Sequence, residues 1–180
     1  KPKAFLYTKV STERVSIIAA LEKKQFRVVD VNIVFEMHPV QFSCPRNARI
    51  QISHIKPEYI EPVLDIAESC FVYSRFHLDP NIPNSIANKV KRAWVHNYII
   101  GNRGHRLLII LKDNQPAGFL AERLIKTAQR TISVIDLIGI ETKSQRQGLG
   151  TSLIGYLCQN LKNNINSIQV GTQVANIPSI

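Results

Sequence analysis

Residues 145–150 read Gln-Arg-Gln-Gly-Leu-Gly, a polar, glycine-bearing turn between an apolar run and an amphipathic pattern. The run before it, 131–141, has the composition of a strand. After it, Leu149, Leu153, Leu157 and Leu161 step by i+4 along a helix. A strand that enters a helix through such a loop gathers the helix's unpaired N–H groups and the positive end of its dipole at one exposed place. Phosphate suits that place, so 145–150 is expected to hold a diphosphate. The loop lacks the Gly-Lys-Ser/Thr of a Walker A loop and the Gly-x-Gly-x-x-Gly of a dinucleotide fold. Alone, a glycine pair at a helix start is equally a tight turn, so the elements around it must decide.

The chain has 180 residues, 44% hydrophobic and 20% charged, which suits one compact domain with a small appendage. Cys44, Cys70 and Cys158 are odd in number and far apart, with no CxxC or Cys/His spacing. Reduced thiols in a cytoplasmic protein, with no metal site, are expected. No apolar run approaches the roughly 20 residues of a membrane span. No signal peptide is visible, although the chain starts at Lys1 without a methionine. The net charge of +10 favours a polyanionic partner. Its basic residues are scattered, however, and solvated surface charge explains them better than nucleic-acid binding. No acidic residue follows Glu141, whereas Lys143, Arg146 and Lys162 do.

The pattern begins with a helix capped at Ser11 or Thr12, with Val15, Ile18, Ala19 and Leu21 on one face, and a strand over 29–37. The break at 38–45 is the expected linker, dividing a small N-terminal region, 1–45, from a main domain, 46–180. A strand starts at Ala48. Pro62 is placed at the first position of a helix bearing Leu64, Ala67 and Phe71. Residues 74–83 read as a loop. Asn84 or Ser85 caps the next helix, whose stripe is Ile86, Val90, Ala93, Trp94 and Tyr98, ending before Gly101. Strands at 106–112, 117–125 and 131–141 with short turns imply an antiparallel meander. The helix 149–161, stopped at Asn163-Asn164, returns to a strand at 168–174 parallel to 131–141. The expected class is α/β (α+β): a mixed, mainly antiparallel twisted sheet flanked by helices.

That order of elements gives the loop a context. Residues 138–157 resemble the acetyl-CoA-binding motif of the GCN5-related N-acetyltransferases (GNAT), Val-x-Pro-x-x-Arg/Gln-Gly-x-Gly-Ile/Leu-Gly. Ile140 stands at the valine, Thr142 at the proline, Gln145 at the Arg/Gln, and Gly148 and Gly150 at the second and third glycines. Arg146 takes the first glycine position. Either its φ is negative there, or its guanidinium adds a phosphate contact. Further stretches are similar to TDP-fucosamine acetyltransferases, which N-acetylate a nucleotide-linked amino sugar: Ser74-Arg75-Phe76 with Asp79-Pro80, Trp94-Val95-x-Asn97, Gly118-Phe119, and Gly171-Thr172-Gln173-Val174-Ala175-Asn176. The likeness runs in order from about Ile50, and 11–37 resembles that group's N-terminal region.

The resemblance implies acetyl-CoA as cosubstrate, CoA as product and a mainly antiparallel GNAT sheet. It puts the pyrophosphate on the amides of Gln145, Arg146, Gln147, Gly148, Leu149, Gly150 and Thr151, with Asn176 also at the cofactor. It pairs the pantetheine arm with the backbone of Ile138 and Ile140, beside a bulge that Gly139 would permit. Backbone donors keep their protons at any working pH, and each one aimed at a developing oxyanion is worth about 3 kcal/mol. The reaction implied is attack of a neutral amine on a thioester. The family's usual acid is a tyrosine in Asn-x-x-Ala-x-x-Leu-Tyr. Here it would fall after Ile180, and the domain is expected to be truncated at its C-terminus.

Glu122, mid-strand, is the first candidate base; the alternative is an exposed strand glutamate. His77 is the second, against a plain surface histidine. A sugar amine of modest pKa needs only water. Arg75, Phe76 and His77 are the acceptor-side candidates, since a guanidinium and an aromatic ring in one loop suit a nucleotide's phosphates and base. The alternative makes Phe76 core and Arg75 a surface ion-pair partner. Trp94 reads as helix core and Cys158 as a small buried apolar residue. The expected partner is a small-molecule acceptor, a nucleotide-sugar amine, without nucleic acid. Another amine, on a peptide or small metabolite, and a non-catalytic CoA-binding module stay open. Oligomeric state is open too, a homodimer among the options.

Overall fold

The computed structural model describes residues 5–38, 50–161 and 164–180. A six-stranded sheet in the order β1-β6-β5-β4-β3-β2 carries the fold. Its strands are β1 (Asn32–Met37), β2 (Ile50–His54), β3 (Arg106–Lys112), β4 (Gln115–Lys126), β5 (Thr131–Ile140) and β6 (Ser167–Gln173). β3, β4 and β5 form the expected antiparallel meander. Asp113 and Asn114 join β3 to β4 with φ of 50° and 61°, the left-handed pair that a two-residue hairpin requires. β6 runs parallel to β5 after the crossover helix, also as expected. β1 pairs antiparallel with the outer side of β6, so the N-terminal strand is the sheet's edge.

The described residues also form five α-helices: α1 (Val15–Lys23), α2 (Ile60–Ser69), α3 (Arg75–Leu78), α4 (Asn84–Ile99) and α5 (Leu149–Gln159). One face buries Val63, Ala67, Val95, Leu107, Ile109 and Phe119 under α2 and α4. The other buries Leu108, Ile110, Leu120, Leu153 and Leu157 under α5. The strict alternation along β3 follows from the pleat, and each such side chain contributes about 1.5–3 kcal/mol by leaving water. Among the described residues no helix is long and apolar enough to cross a membrane.

Several boundaries move. α1 starts at Val15 after a turn from Ser11 to Arg14, and it buries none of its residues. Its expected face therefore finds no core. Pro57 opens a 3-10 turn ahead of α2, so Pro62 stands in the first turn of α2 but not first. The expected loop 74–83 contains α3. α4 follows Pro83, with Asn84 as its first residue. Its buried stripe is Ala87, Lys91, Val95 and Tyr98; Tyr98 is as expected, the other three each stand one residue past Ile86, Val90 and Trp94, and Ile86 is exposed. A lysine at a core position hid the true face. The linker at 38–45 beyond His38, Cys44, Ala48, Lys162 and Asn163 lie outside the described residues.

Candidate active site

The pairing of β5 with β6 stops at Ile135 and Val170, whereas its pairing with β4 continues to Ile140. Past Ile135 the strands part, and the edge of β5 facing β6 has no strand partner. Ile140 O is engaged otherwise, accepting from Gln145 Nε2 at 3.1 Å. This open edge is where Ile138 and Ile140 were expected to meet the pantetheine. Both side chains pack into the core on the α5 face.

The expected bulge is displaced. Ala121 opposes Leu137 and Glu122 opposes Ile135, so the extra residue is Asp136, not Gly139. Gly139 pairs regularly with Phe119, and its own role is close approach. A Cβ there would lie 2.6 Å from Cys70 Sγ and 2.9 Å from the Phe119 ring. The bulge turns both Asp136 and Leu137 to the α2–α4 face, because one extra residue breaks the alternation of period two.

At the end of β5 a turn over Thr142–Ser144 leads into the loop. No hydrogen bond is made, among the described residues, by the backbone N–H groups of Arg146, Gln147, Gly148, Leu149, Gly150 or Thr151. The first helical bond is Ser152 N–H to Gly148 O, at 2.9 Å, and no side chain caps α5. Gly148, the N-cap, has φ of 75°. Arg146 has φ of 60°, so the negative φ allowed for it is overturned. The loop needs the left-handed conformation at that position, and an arginine adopts it at a cost of about 1 kcal/mol. Its guanidinium has no partner among the described residues. Gln147 is tied down instead, donating to Lys143 O at 3.2 Å and accepting from Lys112 Nζ at 2.6 Å. Unpaired amides on two left-handed turns, with a free cation beside them, fit a pyrophosphate. Arg146→Gly is expected to raise stability by up to about 1 kcal/mol in urea unfolding, and to weaken CoA about threefold through loss of an exposed charge. Unchanged CoA affinity would remove the guanidinium from the site. Asn176 lies just past β6, its Nδ2 donating to Thr172 Oγ1 at 3.0 Å.

Asp136 is a hub on the α2–α4 face. Its carboxylate accepts from Trp94 Nε1 (3.1 Å), Tyr98 OH (2.8 Å), Arg103 Nε (2.8 Å) and Arg103 NH2 (3.1 Å). Arg123 Nε stands 3.9 Å away. Burial pushes the Asp136 carboxyl up, but the Arg103, Tyr98 and Trp94 hydrogen bonds and the Arg103 charge outweigh it, and it ends below its usual range. Burial first, then the Asp136 hydrogen bond, raises the Tyr98 phenol. Trp94 is thus both helix core and a donor to this hub.

Glu122 meets surroundings unlike those expected of a base. Its side chain is 1% exposed, Arg106 Nε donates to Oε2, and Ser133 Oγ donates to Oε1 at 2.5 Å. It therefore braces β3, β4 and β5, and to take a proton it would have to release one of these donors. His77 likewise uses both nitrogens inside the fold. Asn88 Nδ2 donates to Nε2 (2.9 Å) and to the carbonyl oxygens of Asn84 and Glu68, which leaves Nδ1–H to donate to Ser74 Oγ (2.6 Å). The ring ties α3 to α4 and is not an exposed base. Arg75 lies over the half-buried Phe76 ring at 5.7 Å, without a carboxylate partner among the described residues.

Sequence reasoning missed Lys91 and Asp136. The signal for Lys91 was a lysine four residues from both Ala87 and Val95. For Asp136 it was a lone charge inside the apolar run of β5.

Comparison with known proteins identifies the family. The acetyltransferase (GNAT) family matches residues 60–180. No curated protein matches the chain. A functionally unknown conserved protein from Staphylococcus epidermidis superposes with a TM-score of 0.62 at 17% identity, over 96% of this chain and 61% of that one. The chain thus spans about three-fifths of that protein's length. Arabidopsis thaliana Naa50, solved with the bisubstrate analogue CoA-Ac-MVNAL, superposes at 0.52 with 15% identity, over 74% of this chain and 78% of that one. A transcriptional regulator from Bacillus halodurans gives 0.52 at 16% identity, over 71% and 84%. At such identities these structures speak for the fold alone. The family match covers the parted strands, the loop of free amides and the helix behind it, and the chain belongs to the acetyltransferase (GNAT) family.

Proposed function

We propose that this chain moves an acetyl group from acetyl-CoA to a primary amine, and that the amine belongs to a nucleotide-linked amino sugar. The run of unpaired amides at 146–151, next to a β5 edge without a strand partner, carries the donor half of this reading. When bound, acetyl-CoA supplies the acyl group already activated as a thioester. The loop amides would hold its pyrophosphate, with Arg146 adding a cation. The backbone of Ile138 and Ile140 would hold its arm as a strand holds a neighbour. Free N–H groups on that edge would stabilise an oxyanion, and they need no reorganisation to do so. With Glu122 held by Arg106 and Ser133, the amine's proton is assigned to water, and Glu122 to bracing the strands. The acceptor half rests on the resemblance at 74–76, 79–80, 94–97 and 171–176, and on the cationic, aromatic face formed by Arg75 and Phe76.

The test is thioester consumption with TDP-amino sugars, N-terminal peptides and simple amines, beside a thermal-shift titration with acetyl-CoA. A rise in melting temperature with acetyl-CoA and turnover with an amino sugar are expected. No shift at saturating ligand would overturn the donor assignment. Turnover with peptides alone would reassign the acceptor, and binding without turnover would make the chain a CoA-binding module.

A further inference from the structure

α4 presents Lys91 where its other buried positions present Ala87, Val95 and Tyr98. The residue is 6% exposed. Its ammonium lies 4.6 Å from the Phe71 ring centroid, 4.8 Å from Trp94 and 6.0 Å from Phe76. Among the described residues no carboxylate and no hydrogen-bond acceptor touches it. The nearby carboxylate, Asp136, is already occupied by Arg103, Tyr98 and Trp94. The titratable groups facing Lys91 from neighbouring elements are Arg75 of α3, the Cys70 thiol after α2, which burial keeps neutral, and Asp136 of β5 with its partner Arg103. Arg75 and Lys91 share the Phe76 ring, and among the described residues no carboxylate pairs with either. Burial first, and Arg75 second, bring Lys91 down to about 8. Lys91 Nζ is not among the fully enclosed polar atoms left without a partner among the described residues, so it keeps a small contact with solvent.

A buried ammonium without a counter-ion is unfavourable, and aromatic faces offset only part of that. An anion between Lys91 and Arg75 removes the remainder. The box is also next to the open strand edge, because Cys70, the residue before Phe71, packs directly on Gly139. We infer that Lys91 and Arg75 form a binding point for a phosphoryl group of the acceptor, walled by Phe71, Phe76 and Trp94. The inference rests on the reading of this face as the acceptor side of an N-acetyltransferase. A phosphoryl dianion matches the paired cations better than a carboxylate, and the rings exclude the water that would compete for it.

Trp94 is the chain's one tryptophan, so all tryptophan emission comes from a wall of this box, and the Lys91 and Arg75 substitutions separate a response of the box from one of the Asp136 hub. With the loop first saturated by CoA, inorganic pyrophosphate is titrated at pH 7. A saturable change in Trp94 emission is expected, at least tenfold weaker in affinity for Lys91→Met and weakened for Arg75→Gln. Affinity in the unsubstituted protein should fall between pH 7 and 9.5 as the ammonium loses its proton. Lys91→Met should keep the thermal shift with CoA, which separates this site from the loop. No response to pyrophosphate with CoA bound, or equal affinity in Lys91→Met, overturns the inference. An equal response to succinate overturns the phosphoryl assignment. Loss of the CoA shift in the unsubstituted protein would instead defeat the acetyltransferase reading.

Discussion

Replacing Asp136 with asparagine is expected to lower the unfolding free energy by about 3 kcal/mol, the lower end of the range for removing one partner from a buried ion pair. The Asp136 side chain is 10% exposed and Arg103's is 36%, so Arg103 regains some water when its partner goes. Tyr98 OH and Trp94 Nε1 would then donate to a neutral acceptor instead of an anion, which weakens both bonds. At this chain length the loss amounts to a melting-temperature drop of roughly 9 °C. The pH dependence gives the sign. Asp136 sits below its ordinary value of 3.8, so its contribution is present above that pH and is lost as pH falls through the folded value. The stability gap between the unsubstituted protein and Asp136→Asn should therefore be full at pH 6 and shrink below about pH 4. Urea unfolding at both pH values tests this. A gap that does not change with pH would mean that the asparagine disrupts packing at the bulge and that the charge matters little.

The hub shows why some of this site was readable and some was not. The loop at 145–150 could be found because its signals are local: a polar run, glycines and an i+4 stripe on one continuous stretch. The meander and the parallel return of β6 follow from short turns and one crossover helix. The bulge does not, because a bulge is set by how two strands register. Gly139 looked like its site, yet the space beside Gly139 is taken by Cys70 and Phe119, which no local pattern reveals. Arg146 misleads in the opposite way. Its residue type argues against the left-handed region, and the loop imposes it nonetheless. Lys91 is harder still. Periodicity treats a lysine as the wet side of a helix, so a charge at a core position shifts most of the inferred stripe by one residue. Glu122 and His77 were found as polar residues in plausible places. Their partners Arg106, Ser133 and Asn88 come from other strands and another helix, so whether those groups were free was not readable locally.

Gly148→Val carries the largest functional consequence expected of any single change. Gly148 combines φ of 75° with the N-cap position of α5. A β-branched residue is strongly disfavoured in that region, and the strain should lower stability of the free protein by about 2 kcal/mol. The added Cβ itself causes no clash within the protein, because a Cβ at Gly148 meets no protein atom within 4 Å. The space it would enter lies outside the protein, at the N-terminus where the unpaired amides of 146–151 are exposed. The two consequences can therefore be separated. Strain is present without ligand, whereas steric exclusion appears only when a ligand is offered. For the unsubstituted protein, CoA at a hundred times its dissociation constant should add about 2.7 kcal/mol to the unfolding free energy. In Gly148→Val that increment should vanish, which corresponds to at least a hundredfold loss of affinity. Gly148→Ala should bear about 1 kcal/mol of strain and lose only part of the increment, since its methyl enters less of the same space. Thermal and urea unfolding with and without CoA on the three proteins measure both terms. If Gly148→Val keeps the full increment despite its strain, CoA binds elsewhere and the amides at 146–151 are not its pyrophosphate site.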